Sequence, residues 1–446
     1  MKKIFTSIIL LLVVTSLWGQ TIQEKMDTLV LAYARDGKFN GNVLVAQKGN
    51  ILYQKGVGFI NAEENKSHDE KSIFQIGSIT KQITAAVIMQ LVQEGKLSLQ
   101  DNLEKFFPGF VNGNKITIHH LLSHTSGIYN YTNDQKLMKS DVTKHYSQKQ
   151  MIDIFKKYEP DFEPGAKWNY SNSGYSLLGY IIEKVTGAPY EKEVRKRIFE
   201  PLGMTNSGFD FTSLQTEKKA KGYFSLAGEK PLSAPVVDST IAYAAGAIYS
   251  TVEDLFKWNN AISAGKILST ESWKKVFTPS LNKYGYGWRI DSLYGKLFAA
   301  HGGGIHGFAS YIIRFPEDDV VVIMLDNASS TSLSQISRSL AAIVFNKPYT
   351  VPAPRKVITL HPSTLDQYIG EYQLAPNFII SIRKKGTALE AQATGQQAFD
   401  IFAEKEDLFF AKIVEAKIEF LKDENGKVSE LILHQNGLKQ KGKKNK

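Results

Sequence analysis

Apolar and polar positions change period several times along this chain, and each change marks an element. Over residues 78–92, Ile79, Ile83, Ala86, Val87 and Leu91 recur at helical spacing while Ile88, Met89 and Val92 fill the remaining faces. That pattern predicts a helix buried nearly all round, and Gly95 supplies its stop. Residues 21–35 predict an amphipathic helix through Ile22, Met26, Leu29, Val30 and Tyr33. Residues 42–47 and 51–59 read as strands joined through Gly49-Asn50, a hairpin. A mainly helical middle runs to about Gly265, strands return at 284–290, 307–314 and 320–325, and residues 331–345 predict a last helix. If the terminal strands pair with one another, they make one antiparallel sheet with the helical middle inserted between its halves.

Pro348, Pro352 and Pro354 mark a linker, after which the period falls to that of short strands. Residues 378–383, 389–392, 398–403, 408–412, 417–421 and 428–434 alternate, with turns at Lys385-Gly386, Asn425-Gly426 and Asn436-Gly437. This predicts a small up-and-down barrel or sandwich. The expected organisation is therefore a signal peptide (1–19), a mixed helix-and-sheet domain (20–347), a linker (348–356), a small all-β, barrel-like domain (357–438) and a basic tail (439–446). The fold class is α/β in the α+β sense: an antiparallel sheet flanked by helices, with a helical insertion.

With 446 residues, 43% hydrophobic and 11% aromatic, the chain is globular and long enough for a sizeable core. Its net charge of +10 resembles a nucleic-acid signal until it is located. Lys2 and Lys3 sit in the leader, and Lys439, Lys441, Lys443, Lys444 and Lys446 form the tail, which leaves the body close to neutral. The tail reads as a frayed, solvated terminus, with binding to an anionic surface as the alternative, and no nucleic-acid partner is expected. The basic start and the apolar run 4–18 have the form of a secretory leader, cleaved near Gly19-Gln20 or, since Leu17 is large for the minus-three position, retained as an anchor. After cleavage no stable membrane span is expected. Cysteine is absent, so there is no disulfide, thiolate metal site or lipidation point, and export without cysteine points to a bacterial periplasm or secretion.

Candidate chemistry lies in three stretches. Ser78 stands at the start of the buried helix and Lys81, three residues on, shares its face. A lysine in a first helical turn opposes the macrodipole; with burial this depresses its pKa and favours the neutral amine that takes a proton from serine. Tyr170-Ser171-Asn172 follows the turn Glu163-Pro164-Gly165 and precedes a helix over 174–185, so a phenol and an amide can face one cleft. His301-Gly302-Gly303-Gly304 follows a strand-like run, and its glycines let a substrate backbone approach the sheet edge. Other readings fail: His119, His120 and His124 lack the glutamate of a zinc helix and read as structural, G-x-S-x-G does not occur, and no phosphate loop is found. No metal and no cofactor are expected.

Ser78-Ile79-Thr80-Lys81, Tyr170-Ser171-Asn172 and His301-Gly302-Gly303, in this order and at these separations, resemble the three motifs of the serine beta-lactamase and penicillin-binding-protein superfamily, in its class C-like branch. Residues 116–127, Pro201-Leu202-Gly203-Met204 and Ser250-Thr251-Val252-Glu253-Asp254-Leu255 add to the likeness, which covers about residues 24–345. The stretch 365–372 resembles the start of the small β domain often appended to such hydrolases. The resemblance implies that Ser78 attacks a carbonyl, Lys81 and Tyr170 manage its proton, and Asn172, His301 and Gly303 bind substrate. It implies also that the backbone NH groups of Ser78 and Gly304 hold the oxyanion. True class C beta-lactamases have lysine where this chain has His301; a partly protonated histidine would hold a substrate carboxylate more weakly. The expected function is an exported serine hydrolase that acts through an acyl-enzyme on D-amino-acid peptide, amide or related ester bonds, in the manner of a DD-peptidase of cell-wall peptides. A beta-lactamase or small-substrate esterase is the alternative, and a penicillin- or peptidoglycan-fragment-binding receptor the non-enzyme one. Oligomeric state is not legible.

Overall fold

The computed structural model describes residues 20–227, 230–354, 356–396, 398–411, 416–435 and 438–445. The leader, the Asn436-Gly437 turn and Lys446 lie outside the described residues. Six strands, β1 (Gly41–Gln47), β2 (Asn50–Val57), β3 (Arg289–Leu293), β4 (Lys296–Ile305), β5 (Phe308–Phe315) and β6 (Val320–Asp326), form one sheet in the order β2-β1-β6-β5-β4-β3. Every pairing in it is antiparallel. Pairing of Gly41 with Asp326 through Gln47 with Val320 joins the two ends of the domain, and the helical middle leaves and re-enters between them.

The centre of this sheet is covered on both faces. In β6 every residue is buried, and its period-two alternation sends Val321, Ile323 and Leu325 into the core shared with the helical region. Val320, Val322 and Met324 go to a second core under α1 (Ile22–Arg35) and the last helix of the domain, Leu333–Val344. Thr21 caps α1 with a reciprocal capping box to Glu24. The helix α2 (Thr80–Gln93) is buried along nearly its whole length, and Gly95, with φ 68°, follows its end. One expected strand is displaced. Residues 284–288 do not join the sheet, because Gly287 adopts φ 75° and brings its backbone against the Lys81 carbonyl; pairing starts only at Arg289.

The C-terminal part is a closed eight-stranded barrel: β7 (Gly370–Ala375), β8 (Phe378–Lys385), β9 (Ala388–Ala393), β10 (Phe399–Ala403), β11 (Leu408–Ala411), β12 (Ala416–Lys422), β13 (Val428–Gln435) and β14 (Leu438–Lys444). The expected frayed tail is instead β14, which pairs with β13 and closes the ring on β7 through Tyr372–Lys444 and Gln373–Lys443. Its lysines hid it from a hydrophobic pattern. Gly442 is its buried position, with the Leu374 side chain against it, so no apolar alternation is written in the sequence. Closure leaves the barrel without a free sheet edge. Among the described residues no helix is long and apolar enough to cross a membrane.

Candidate active site

Ser78 lies in a single 3-10 turn, Gly77–Ile79, that runs directly into α2. Ile76 anchors this turn on two sides: its NH donates to Ile248 O at 2.9 Å, and its carbonyl accepts from Ser310 Oγ at 2.7 Å. Gly77 has φ 50°, and a β-carbon there would fall 2.8 Å from the Gly304 nitrogen, so only glycine lets the turn approach β4 this closely. Ser78 is left partly exposed between buried neighbours.

Lys81 is fully buried, one turn along α2. Its Nζ lies 3.0 Å from Ser78 Oγ, 2.8 Å from Asn172 Oδ1 and 2.7 Å from the Ala245 carbonyl oxygen. Two of these partners can only accept, and the hydroxyl can donate. A neutral amine has two N–H bonds and one lone pair, which matches the three contacts with the lone pair facing Ser78. Burial drives the Lys81 pKa well below the ordinary lysine value, in the same sense. The Ala245 carbonyl arrives there because the helix-like segment Ser239–Gly246 is broken at Tyr243, φ 37° and ψ −135°.

Burial raises the Tyr170 phenol pKa above the ordinary tyrosine value, against a smaller downward pull from the Ser78 hydroxyl. Lys81 Nζ stands 4.9 Å from the centre of its ring. Amine and phenol are thus pushed apart in acidity, the first toward a base and the second toward an acid that keeps its proton. Asn172 opens the helix Asn172–Thr186, and Asn130 Oδ1 accepts its NH at 3.0 Å, taking the place of a side-chain cap. Its own amide was expected at the substrate. Oδ1 holds Lys81, Nδ2 makes 3.3 Å contacts with Asn130 Oδ1 and Thr132 Oγ1, and the residue lines the same cavity as Ser78.

His301 differs most from its expectation. Nδ1 donates to the Gly302 carbonyl at 2.6 Å, so Nε2 is the acceptor and takes the Tyr284 hydroxyl at 2.8 Å. Burial lowers its pKa to about 3. The ring is therefore neutral at pH 7 rather than partly protonated, and both nitrogens are engaged within the protein. Gly303 shares the inward face of β4 with it: a β-carbon there would overlap the Ile76 carbonyl and the Ser310 hydroxyl. The absent β-carbon thus lets the strand approach the nucleophile turn. Gly304 faces open space, and β3 pairs with β4 only over Lys296–Ala300, so beyond Ala300 the strand has β5 on one side alone.

Ser78, Asn172 and Gly304 line one cavity together with Tyr131, Thr132, Met138, Ile305 and His306. Thr132 lies in a 3-10 turn, Met138 in the short helix Gln135–Ser140, Ile305 at the end of β4 and His306 just after it; His306 Nε2 donates to the Met138 carbonyl at 3.1 Å across the cleft. His119 and His120 serve local structure, on Tyr286 and in the capping box of Thr117. His124, grouped with them from sequence, sits instead against Tyr170, with ring centres 4.2 Å apart.

The Beta-lactamase family model matches residues 19–344, and a Domain of unknown function (DUF3471) matches residues 354–444. Penicillin-binding protein 4* of Bacillus subtilis (strain 168) is 29% identical over 443 residues, covering 94% of this chain and 98% of its own. The octameric penicillin-binding protein homologue from Pyrococcus abyssi superposes with a TM-score of 0.63 at 27% identity, over 94% of this chain and 99% of that one. A D-stereospecific amidohydrolase from Streptomyces sp. superposes with a TM-score of 0.64 at 32% identity, over 72% of this chain and 98% of its own.

Proposed function

The chain belongs to the Beta-lactamase family as a serine hydrolase, and from that premise we propose that it is exported and hydrolyses D-amino-acid peptide, amide or related ester bonds through an acyl-enzyme on Ser78. One observation carries the reading: the three oxygen contacts of Lys81 fit a neutral amine with its lone pair on the Ser78 hydroxyl. As Ser78 Oγ bonds to the substrate carbonyl carbon, Lys81 takes its proton. The carbonyl oxygen gains charge between the NH groups of Ser78 and Gly304, each worth on the order of a hundredfold in rate. The Tyr170 phenol gives a proton to the leaving nitrogen or oxygen and regains one from Lys81, and the C–N or C–O bond breaks. Water then attacks the ester on Ser78, with the same groups handling its proton in reverse.

The likeness to a D-stereospecific amidohydrolase supports the D-amino-acid substrate class, and the apolar run behind Lys2 and Lys3 supports export. The name of the Bacillus relative favours a second reading, acylation by penicillin, on the same nucleophile. The test is hydrolysis of D- and L-aminoacyl amides and esters by wild type and by Ser78→Ala. Turnover that favours the D series and vanishes in the variant supports the proposal. Equal slow turnover by both proteins would leave a binding protein, not an enzyme.

A further inference from the structure

His124 follows the short helix Ile118–Leu122 and takes a left-handed backbone conformation, φ 58°. That conformation turns two of its groups onto one loop. Its carbonyl oxygen accepts from the Asn169 NH at 3.0 Å, and its Nδ1 accepts from the Ser171 NH at 3.2 Å. These two bonds flank Tyr170, so one residue grips the backbone of the phenol from both sides. The imidazole also packs on the Tyr170 ring, tilted by 37°, and on Tyr175 and Tyr284 with ring centres 5.1 and 4.8 Å away.

Because Nδ1 accepts from a backbone NH, the ring proton resides on Nε2, which has no hydrogen-bond partner among the described residues. Filling this space alone would be better served by an apolar ring, since a buried N–H without a partner is costly. The acceptor at Nδ1 and the left-handed backbone are what a phenylalanine or leucine could not supply.

We propose that His124 is a positioning residue: it fixes Tyr170 where the phenol meets the leaving group, and through Ser171 it sets the start of the helix that carries Asn172 to Lys81. The inference rests on Tyr170 being the acid of the proposed reaction. It is distinct from a general contribution to folding because it reaches the chemistry through one proton transfer. An amide nitrogen must be protonated to leave, whereas nitrophenolate leaves without a proton.

The experiment compares the p-nitroanilide and the p-nitrophenyl ester of one D-amino acid, with kcat and KM measured separately. His124→Leu and Tyr170→Phe are each expected to lower kcat on the anilide about tenfold more than on the ester, with KM little changed. His124→Asn keeps an acceptor near Nδ1 and tolerates the left-handed backbone, so it should retain both activities within about threefold. Should the leucine variant fail to fold, His124→Gln, whose acceptor lies one bond too far from the Ser171 NH, takes its place. If Tyr170→Phe shows the disproportion while the His124 variant loses both activities equally, or if asparagine is as damaging as leucine, His124 is a core residue and the inference is overturned. If wild type and Ser78→Ala behave alike on both substrates, the proposed function itself fails, and this inference with it.

Discussion

Asn172 Oδ1 accepts from Lys81 Nζ at 2.8 Å, deep in the cleft and with no carboxylate in the first turn of α2 to share the amine. A neutral amide thus occupies the place where a carboxylate would have made Lys81 a cation.

Asn172→Asp tests the consequence. A carboxylate at this distance favours the protonated lysine, so its pKa should rise and the neutral base become scarce at pH 7. Rate at pH 7 should fall on the order of a hundredfold, and the acidic limb of the pH profile should move to higher pH. A profile lowered uniformly, with its midpoint unmoved, would mean that Lys81 is not the group titrating.

Buried imidazoles make the fold sensitive to acid. Burial lowers His68 to about 4 and His301 to about 3, and drives His124 well below its ordinary value. Below the unfolded value of about 6.5 the unfolded chain binds more protons at these sites than the folded one, so stability rises with pH and is lost as pH falls. Asp326 works the other way, since burial raises it to about 6. Burial lowers His119 and His120 as well, so with five imidazoles against one carboxyl Tm should fall steadily between pH 6.5 and 4. His68 Nε2 meets Asn327 Oδ1 at 3.0 Å; His68→Gln, which keeps a donor for that oxygen, should flatten the slope, and an unchanged slope would contradict the assignment.

The glycines of β4 are not equivalent. Gly303→Ala pushes a methyl group into the Ile76 carbonyl and the Ser310 hydroxyl, and should cost about 1–3 kcal/mol of stability. Displacing the nucleophile turn should also lower activity about a hundredfold. Gly304→Ala meets nothing within 4 Å and should leave Tm unchanged. Thermal melts and kcat/KM on the two variants check both statements.

His301 is neutral and turned onto Tyr284 and Gly302, so it supplies no charge for a substrate carboxylate. Adding a carboxylate to the leaving group of a good ester substrate should therefore not improve kcat/KM, and benzylpenicillin should be turned over slowly. A tenfold or greater gain from the added carboxylate would contradict this reading of the site.

Much of this was legible in the sequence, for physical reasons that differ by region. The helix carrying Ser78 and Lys81 showed itself because burial on all sides leaves an unbroken apolar record over Ile79–Leu91. The sheet strands β1, β5 and β6 were found to within a few residues because cores on both faces demand apolar residues at successive positions, whereas the edge strand β2, with Tyr53 as its buried residue, was marked by the turn at Gly49-Asn50. The closing strand β14 was not found, since its charged positions face water and its one inward position is a glycine. At the site, spacing could place Tyr170 and Asn172 near the lysine but could not say which atom each offers it. The roles of Asn130, Ala245 and His124 depend on backbone groups and loop geometry brought together over long sequence distances, and such contacts leave no periodic trace.

The central claim is that Ser78 becomes covalently acylated. Intact mass spectrometry after rapid quenching, with wild type and Ser78→Ala mixed with a D-aminoacyl p-nitrophenyl ester and separately with benzylpenicillin, tests it directly. A mass gain equal to the acyl group, or to whole penicillin, is expected on the peptide that contains Ser78 and is absent from the variant. An adduct of the same size on Ser78→Ala, or ester turnover at equal rates by both proteins with no adduct on either, would contradict it.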